Sequence, residues 1–248
     1  MILERIFGAT PPAAREGLRR LKYRLMGKMS SATYWNIAAK ISAQAAICTD
    51  CVNEKDFFAS GHREANLLRL KGLLRPDVRV INIGCGIGRI ENAICAEVAS
   101  VIGVDVSSRM VELARKKVRF ANVTFRTVDG ISLQGIESEQ YDLCVSFMVL
   151  QHIPRSATAN YILEVSRVLT RSGHCLFQIP KRTPGRNSEP SEDHPFGLRY
   201  YSRQEVRDLL ERSGLEFLGN FDDRGQEPAS TMLDDPSYEF YLARRPAK

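Results

Sequence analysis

An apolar run that passes straight into three closely spaced glycines constrains this chain more than any other stretch. Val80-Ile81-Asn82-Ile83-Gly84-Cys85-Gly86-Ile87-Gly88-Arg89 reads as a buried strand, a tight turn and the first residues of a helix. Glycine suits such a turn for two reasons: the backbone can be asked for positive φ, and a side chain would keep a ligand off the peptide groups. Several classes of nucleotide-like ligand use turns of this kind, so the GxGxG pattern alone does not choose among them. The surroundings have to.

Those surroundings alternate between helical and strand patterns. Helices are expected over 61–72, 88–98, 107–117, 157–169 and 202–213, and strands over 78–83, 101–104, 123–128, 141–147, 174–179, 215–221 and 238–242. Ser107 is placed to cap its helix. Apolar strands separated by helices of this length predict an α/β fold, a doubly wound and mostly parallel sheet covered on both faces. The stretch 180–200 carries Pro180, Pro184, Gly185, Pro190, Pro195 and Gly197 among charges and reads as a long loop. Loops of that length in compact domains commonly form lids or binding loops. The expected organisation is an N-terminal helical arm or cap over 1–55 and one ligand-binding domain over 56–248.

Charge separates these two parts. The chain has 35 basic and 29 acidic side chains, a formal net charge of +6. Residues 1–40 hold eight of the former and two of the latter, so the whole excess lies in the arm. Past Thr10 and Pro11, a helix start, the residues Ala14, Leu18, Leu21, Leu25 and Met29 share one helical face, opposite Arg15, Arg19, Arg20, Lys22, Arg24 and Lys28. Such a basic amphipathic helix either docks on its own domain or offers a peripheral contact to a membrane surface. The 44% hydrophobic content and mean hydropathy of −0.23 are those of a soluble globular chain. No membrane span or leader-like apolar run is seen, and the six cysteines fall mostly in apolar runs, which together place the protein in the cytoplasm. Cys48 and Cys51 form a lone CxxC, read as helix-face cysteines because zinc would want two further ligands. No metal site is expected.

Two acids follow the glycines at strand ends. Asp105 closes the strand after the turn, 17 residues beyond Gly88, where a carboxylate can accept hydrogen bonds from both hydroxyls of a ribose. Asp129, with Gly130, follows the third strand and can reach an adenine amino group, with Val106 and Ile131 enclosing the ring. Phe147 ends the fourth strand at the same edge.

At this point the residues resemble a known family. Ile81 to Arg89, Gly103-Val104-Asp105, Val128-Asp129-Gly130, Tyr141-Asp142-Leu143 through Leu150-Gln151-His152-Ile153-Pro154, and Arg167-Val168-Leu169 through Gly173 look like the successive motifs of class I S-adenosylmethionine-dependent methyltransferases. The resemblance covers about residues 60–180 and, more loosely, the tail. It implies a Rossmann-like seven-stranded sheet with an antiparallel last strand. It also implies S-adenosyl-L-methionine as cofactor, lying across Asn82, Gly84, Gly86, Gly88, Asp105, Val106, Asp129, Gly130 and Phe147. One position departs from the pattern: the family commonly has an acid where this chain has Asn82.

A methyl on a sulfonium needs chiefly an in-line nucleophile, plus a general base where the acceptor is a hydroxyl. His152, just past the fourth strand, is the candidate base. His194, Tyr200 and Tyr201 are weaker candidates, and Tyr34, Trp35, Lys181, Arg182 and Arg186 are candidates for contacting the acceptor. The expected acceptor is a small molecule or a sugar- or lipid-linked metabolite, with oxygen slightly ahead of nitrogen. The rival readings are an NAD(P)-binding oxidoreductase and a scaffold that binds cofactor without turnover. None of the eight tyrosines has the Lys four residues on that a short-chain dehydrogenase pairs with it, and Arg89 stands where GxGxxG ends. Nucleic-acid substrates are disfavoured because no Asn/Asp-Pro-Pro-Tyr/Phe segment follows the fourth strand.

Overall fold

The computed structural model describes residues 29–48, 51, 53–180, 197–221 and 238–248. The basic arm up to residue 28 and Lys181, Arg182, Arg186 and His194 lie outside them. Seven strands form one sheet: β1 (Arg79–Ile83), β2 (Ser100–Asp105), β3 (Val123–Thr127), β4 (Tyr141–Ser146), β5 (Leu169–Pro180), β6 (Glu216–Phe221) and β7 (Tyr238–Arg244). Their order is β3-β2-β1-β4-β5-β7-β6. β1 to β5 pair in parallel, and β7 inserts between β5 and β6 antiparallel to both. The chain winds outward from β1 through β2 to β3, then restarts on the other side with β4. The carboxyl ends of β1 and β4 therefore flank a topological switch point, where open α/β sheets hold their ligands.

Among the described residues six α-helices accompany the sheet: α1 (Ser31–Ile47), α2 (Glu54–Leu70), α3 (Arg89–Ile94), α4 (Ser108–Lys117), α5 (Arg155–Val168) and α6 (Arg203–Arg212). One sheet face carries Ile81, Ile83, Cys144, Cys175 and Phe177 and packs on Tyr161, Ile162 and Val165 of α5 and on Val206 and Leu210 of α6. The other carries Val80, Leu143, Val145 and Leu176 and packs on Ala65 and Leu68 of α2 and Ile90 and Ile94 of α3. Burial on both faces is why the central strands read as continuous apolar runs instead of alternating.

Several boundaries differ from the expected ones. α2 starts at Glu54, seven residues before the sequence pattern suggested, because Asn53 caps it by accepting from the Asp56 N–H at 2.9 Å. α3 ends at Ile94 and tightens into a short 3-10 turn over Cys95–Glu97. β5 starts at Leu169, not at 174, because a register shift against β4 between Tyr141 and Leu143 lets the strand begin earlier. α1 is interrupted at Ser42, whose φ of −165° and ψ of 100° are extended. Cys48 and Cys51, expected to be unbridged, form a disulfide at the end of α1, while Cys85, Cys95, Cys144 and Cys175 are free and buried.

The seat of α3 on α2 depends on Gly61, where an added Cβ would lie 2.2 Å from the Arg89 carbonyl oxygen. Above that contact, Arg89 makes a two-pronged, buried ion pair with Glu64, and its guanidinium also lies 3.4 Å from the Ser60 hydroxyl. Gly61→Ala is expected to destabilise the fold by ~1 to 3 kcal/mol through overpacking, exceeding the ~1 kcal/mol that alanine brings to a helix interior. Thermal melting reads this directly. A variant melting at or above the wild-type temperature would show that the two helices part without cost.

Candidate cofactor and acceptor site

A cavity of about 390 Å³ opens at the carboxyl ends of β1, β2 and β4, within the size range of small-molecule sites. Its floor is the glycine turn. The N–H groups of Gly84 and Cys85 donate to the Val104 carbonyl at 2.7 and 3.0 Å, which fastens the turn to β2. Asp105 closes the fastening: one carboxylate oxygen accepts from Gly86 N–H at 2.9 Å and the other from Ser107 N–H at 2.8 Å. Burial raises the Asp105 pKa, although the N–H groups of Ser107, Gly86 and Val106 pull it back. Each oxygen keeps a second lone pair for a ligand hydroxyl.

Two glycines are required both by conformation and by space. Gly84 and Gly86 have φ of +78° and +54°. A Cβ on Gly84 would lie 2.1 Å from a Val149 methyl, and one on Gly86 would lie 2.5 Å from Ile47 Cδ1. These glycines thus let Val149 and Ile47 close directly onto the turn.

The roof is α1, whose Ser31, Trp35, Ala46 and Ile47 line the cavity. Asn36 pins it: its side-chain oxygen accepts from Ser107 Oγ at 2.8 Å and from Arg109 N–H at 3.0 Å, at the start of α4. The segment after β4 packs against the turn through Val149, and its Phe147, Met148, Val149, His152 and Ile153 reach the cavity. Met148 adopts φ of 60°, a conformation that L side chains seldom take and that clusters at functional sites. The His152 ring meets the Trp35 ring edgewise with centroids 6.0 Å apart. Burial lowers the His152 pKa to about 4, against a hydrogen bond with the Gly197 backbone and aided by the charge of Arg199. The imidazole is therefore neutral at physiological pH.

Of the residues expected at the site, Gly84, Gly86, Asp105, Val106, Gly130, Phe147 and His152 line the cavity together. Asn82, Gly88 and Asp129 do not. Asn82 is turned to the α3 side of β1 and donates its amide to Glu91 at 2.8 Å. Gly88 faces the core, where a Cβ would meet Val118 at 2.8 Å and Phe125 at 3.0 Å. The Asp129 carboxylate accepts from the N–H groups of Ile131 and Ser132 and from the Ser132 hydroxyl at 2.7 to 2.8 Å. Burial pushes its carboxyl up, but those N–H groups outweigh it and hold it below the usual carboxylate range. Ile131, expected on the ring, is exposed, and Tyr201 is buried in the core beneath the Arg155 guanidinium. Tyr200 is also away from the cavity. Sequence patterns did not single out Arg89, Met148, Tyr161, Leu198 or Tyr238, all of which line it. The aromatic residues among them come from α5 and from β7, far apart in the chain, so no local spacing could join them.

The cavity thus offers bare peptide, a carboxylate at a strand end and apolar walls, a set that fits a nucleoside bearing an amino-acid tail. Residues 80–173 match a family model described as a methyltransferase domain. The ubiquinone biosynthesis O-methyltransferase of Acinetobacter baylyi is 26% identical over 110 residues, 43% of this chain and 45% of that one. The demethylmenaquinone methyltransferase of Tropheryma whipplei is 28% identical over 130 residues, 51% and 52% of the two chains. This chain spans about half the length of these relatives. Among solved structures, the [4+2]-cyclase SpnF has a TM-score of 0.59 at 21% identity, covering 80% of this chain and 85% of its own. An S-adenosylmethionine-dependent methyltransferase from Mesorhizobium loti has a TM-score of 0.56 at 20% identity, covering 73% and 98%. These two likenesses show the fold alone. With the matched motifs built into one cavity on that fold, residues 80–173 form a region similar to methyltransferase domains, and the cavity is the candidate site for S-adenosylmethionine.

Proposed function

We propose that the protein methylates an apolar small-molecule acceptor, at oxygen in preference to nitrogen, with His152 as general base. One observation carries this reading: the cavity lined by the glycine turn and Asp105 is also lined by Trp35, Phe147, Leu198 and Tyr238, and His152, a neutral titratable group, lies beside Trp35 in it. In this reading Asp105 accepts from the ribose, the peptide groups at Gly84 and Gly86 receive the amino-acid end, and Val106, Val128 and Gly130 flank the adenine. Asn82, Gly88 and Asp129 shape the site from behind. Bound there, the cofactor supplies an electrophilic methyl. The chain supplies orientation, exclusion of water by the α1 roof, and a proton acceptor at the His152 ring.

The curated relatives, named for quinone substrates, support an acceptor that is a small aromatic ring, free or lipid-linked. In this reading α1, within the expected 1–55 cap, covers the site, and the expected 180–200 loop lies mostly outside the described residues. The basic arm would bring the enzyme to a membrane carrying such an acceptor. Among the described residues no helix is long and apolar enough to cross a membrane. Removing residues 1–28 is expected to abolish sedimentation with anionic vesicles, and a full-length protein that ignores such vesicles would contradict this role. The reaction itself is tested by incubating the enzyme with methyl-labelled cofactor and fractionated cell extract. Label in a solvent-extractable small molecule is expected. Label confined to protein or nucleic acid would overturn the assignment.

A further inference from the structure

The most unusual buried group near the cavity is not part of its lining. Glu91, in α3, is fully buried beneath the glycine turn, and its pairing is incomplete. One carboxylate oxygen accepts from the Asn82 amide at 2.8 Å. The other oxygen, and the amide oxygen of Asn82, are buried without a hydrogen-bond partner among the described residues. Room for the acid is made on β2 by Gly103, the register partner of Asn82, where a Cβ would lie 2.6 Å from Glu91 Oε1 and 2.7 Å from Cys85 Cβ. A glutamate buried this way costs the unliganded fold stability, because a carboxylate out of water with one oxygen left unpartnered by other side chains is incompletely compensated. Something must offset that cost, and the ligand that sits on the other side of the turn is a cation.

We propose that Glu91 is a positioning residue of the cofactor site: it holds Asn82 and the turn from behind, and its negative charge favours the sulfonium of S-adenosylmethionine over its neutral thioether product, S-adenosylhomocysteine. The acid that the strand lacks at Asn82 is thereby supplied from the helix that follows. The inference rests on the cofactor assignment and goes beyond it to how the site tells cofactor from product.

The charges around Glu91 set its response to pH. Burial raises its pKa to about 7, with Asp105 on β2 adding to the rise; its own backbone N–H, the Asn82 amide on β1 and the charge of Arg89 lower it. The Cys85 thiol in the turn is held protonated by burial, and Arg89 is itself engaged with Glu64 of α2. Binding a cation stabilises the Glu91 anion, so cofactor binding near pH 7 releases protons, and affinity rises between pH 6 and 8. The sulfonium also lowers the pKa of the cofactor's own amino group relative to that of the product, so the protons assigned to Glu91 are those lost on Glu91→Gln.

The test is isothermal calorimetry of the full chain with each ligand, in buffers of different ionisation enthalpy. Glu91→Gln keeps the shape and the Asn82 contact while removing the charge. It is expected to weaken S-adenosylmethionine about tenfold, the scale of a charge pair about 12 Å apart at an effective dielectric of about 20, and S-adenosylhomocysteine less than about twofold. The share of the proton release that belongs to Glu91 should vanish. Unliganded Glu91→Gln should melt higher than the wild type at pH 8, because the folded pKa exceeds that of an unfolded Glu and the wild type loses stability as pH rises through it. Adding Asn82→Asp to Glu91→Gln returns the charge to the same place and should restore the preference for the cation. An unchanged ratio of the two affinities in Glu91→Gln would overturn the inference while leaving the cofactor assignment intact. Wild-type protein that binds neither ligand would overturn both.

Discussion

Asp105→Ala is expected to weaken S-adenosylmethionine binding by ~1 to 3 kcal/mol, roughly five- to 150-fold, through the hydrogen bonds its carboxylate makes to the ribose. The structure adds a second loss. Both Asp105 oxygens also hold backbone N–H groups, those of Gly86 and Ser107, so alanine leaves two donors unsatisfied and frees the glycine turn from β2. A drop in melting temperature should therefore accompany the loss of affinity. Asp105→Asn separates the two effects, because its amide oxygen still accepts one N–H while the charge-assisted bonds are gone. Calorimetry on both variants decides the matter, and Asp105→Ala with wild-type affinity would remove this residue from the site.

His152→Ala should reduce turnover by about 10² to 10⁴ while sparing cofactor affinity, the effect of losing a general base that does not touch the cofactor's polar groups. Because burial lowers the His152 pKa to about 4, activity should not fall near pH 6.5 on its account, as it would for an exposed imidazole. The same shift bears on stability. The unfolded chain takes up a proton on this histidine near pH 6.5 and the folded chain does so only near pH 4, so the neutral ring favours the fold above pH 6.5. That contribution, about 3 kcal/mol, is lost as pH falls from 6.5 towards 4. Denaturant melts over this window should show the loss in the wild type and a shallower one in His152→Ala. Normal turnover in the variant would eliminate the base role, and the apolar lining of the cavity would then act on its acceptor by orientation alone.

The centre of the fold was legible because its information is local. Val80 to Arg89 and Val101 to Asp105 each carry strand, turn and chemistry within about ten residues, and both landed at the cavity. The parallel sheet followed from alternation, since strands buried on both faces have no polar side to confuse the pattern. What was missed depends on contacts distant in sequence. Nothing in the sequence around Ile47 says that its methyl would lie over Gly86, or that Asn36 would accept from Ser107 and Arg109 and so bring α1 across the site. Asp129 was placed at the correct strand end, but the Asp-Gly-Ile-Ser turn offers its carboxylate three nearby donors, and those local bonds won. Asn82 was marked as a departure; its consequence, the pairing with Glu91 nine residues later, needed the turn to be folded.

The arrangement at the sheet's edge also explains why so few polar side chains suffice. Transfer from a sulfonium demands alignment more than acid or base strength, and alignment here comes from the pinned roof, the bare glycine floor and the Met148 segment. In the proposed reading, the apolar wall around Trp35 and His152 would keep water from the acceptor.

The most direct measurement is a crystal structure of the protein soaked with S-adenosylhomocysteine. The expected result is the nucleoside along the carboxyl ends of β1 and β2, with both ribose hydroxyls on Asp105 and the amino-acid tail over Gly84 and Gly86. Density for the ligand elsewhere, or a rim that stays empty at saturating concentration, would contradict the assignment of this cavity.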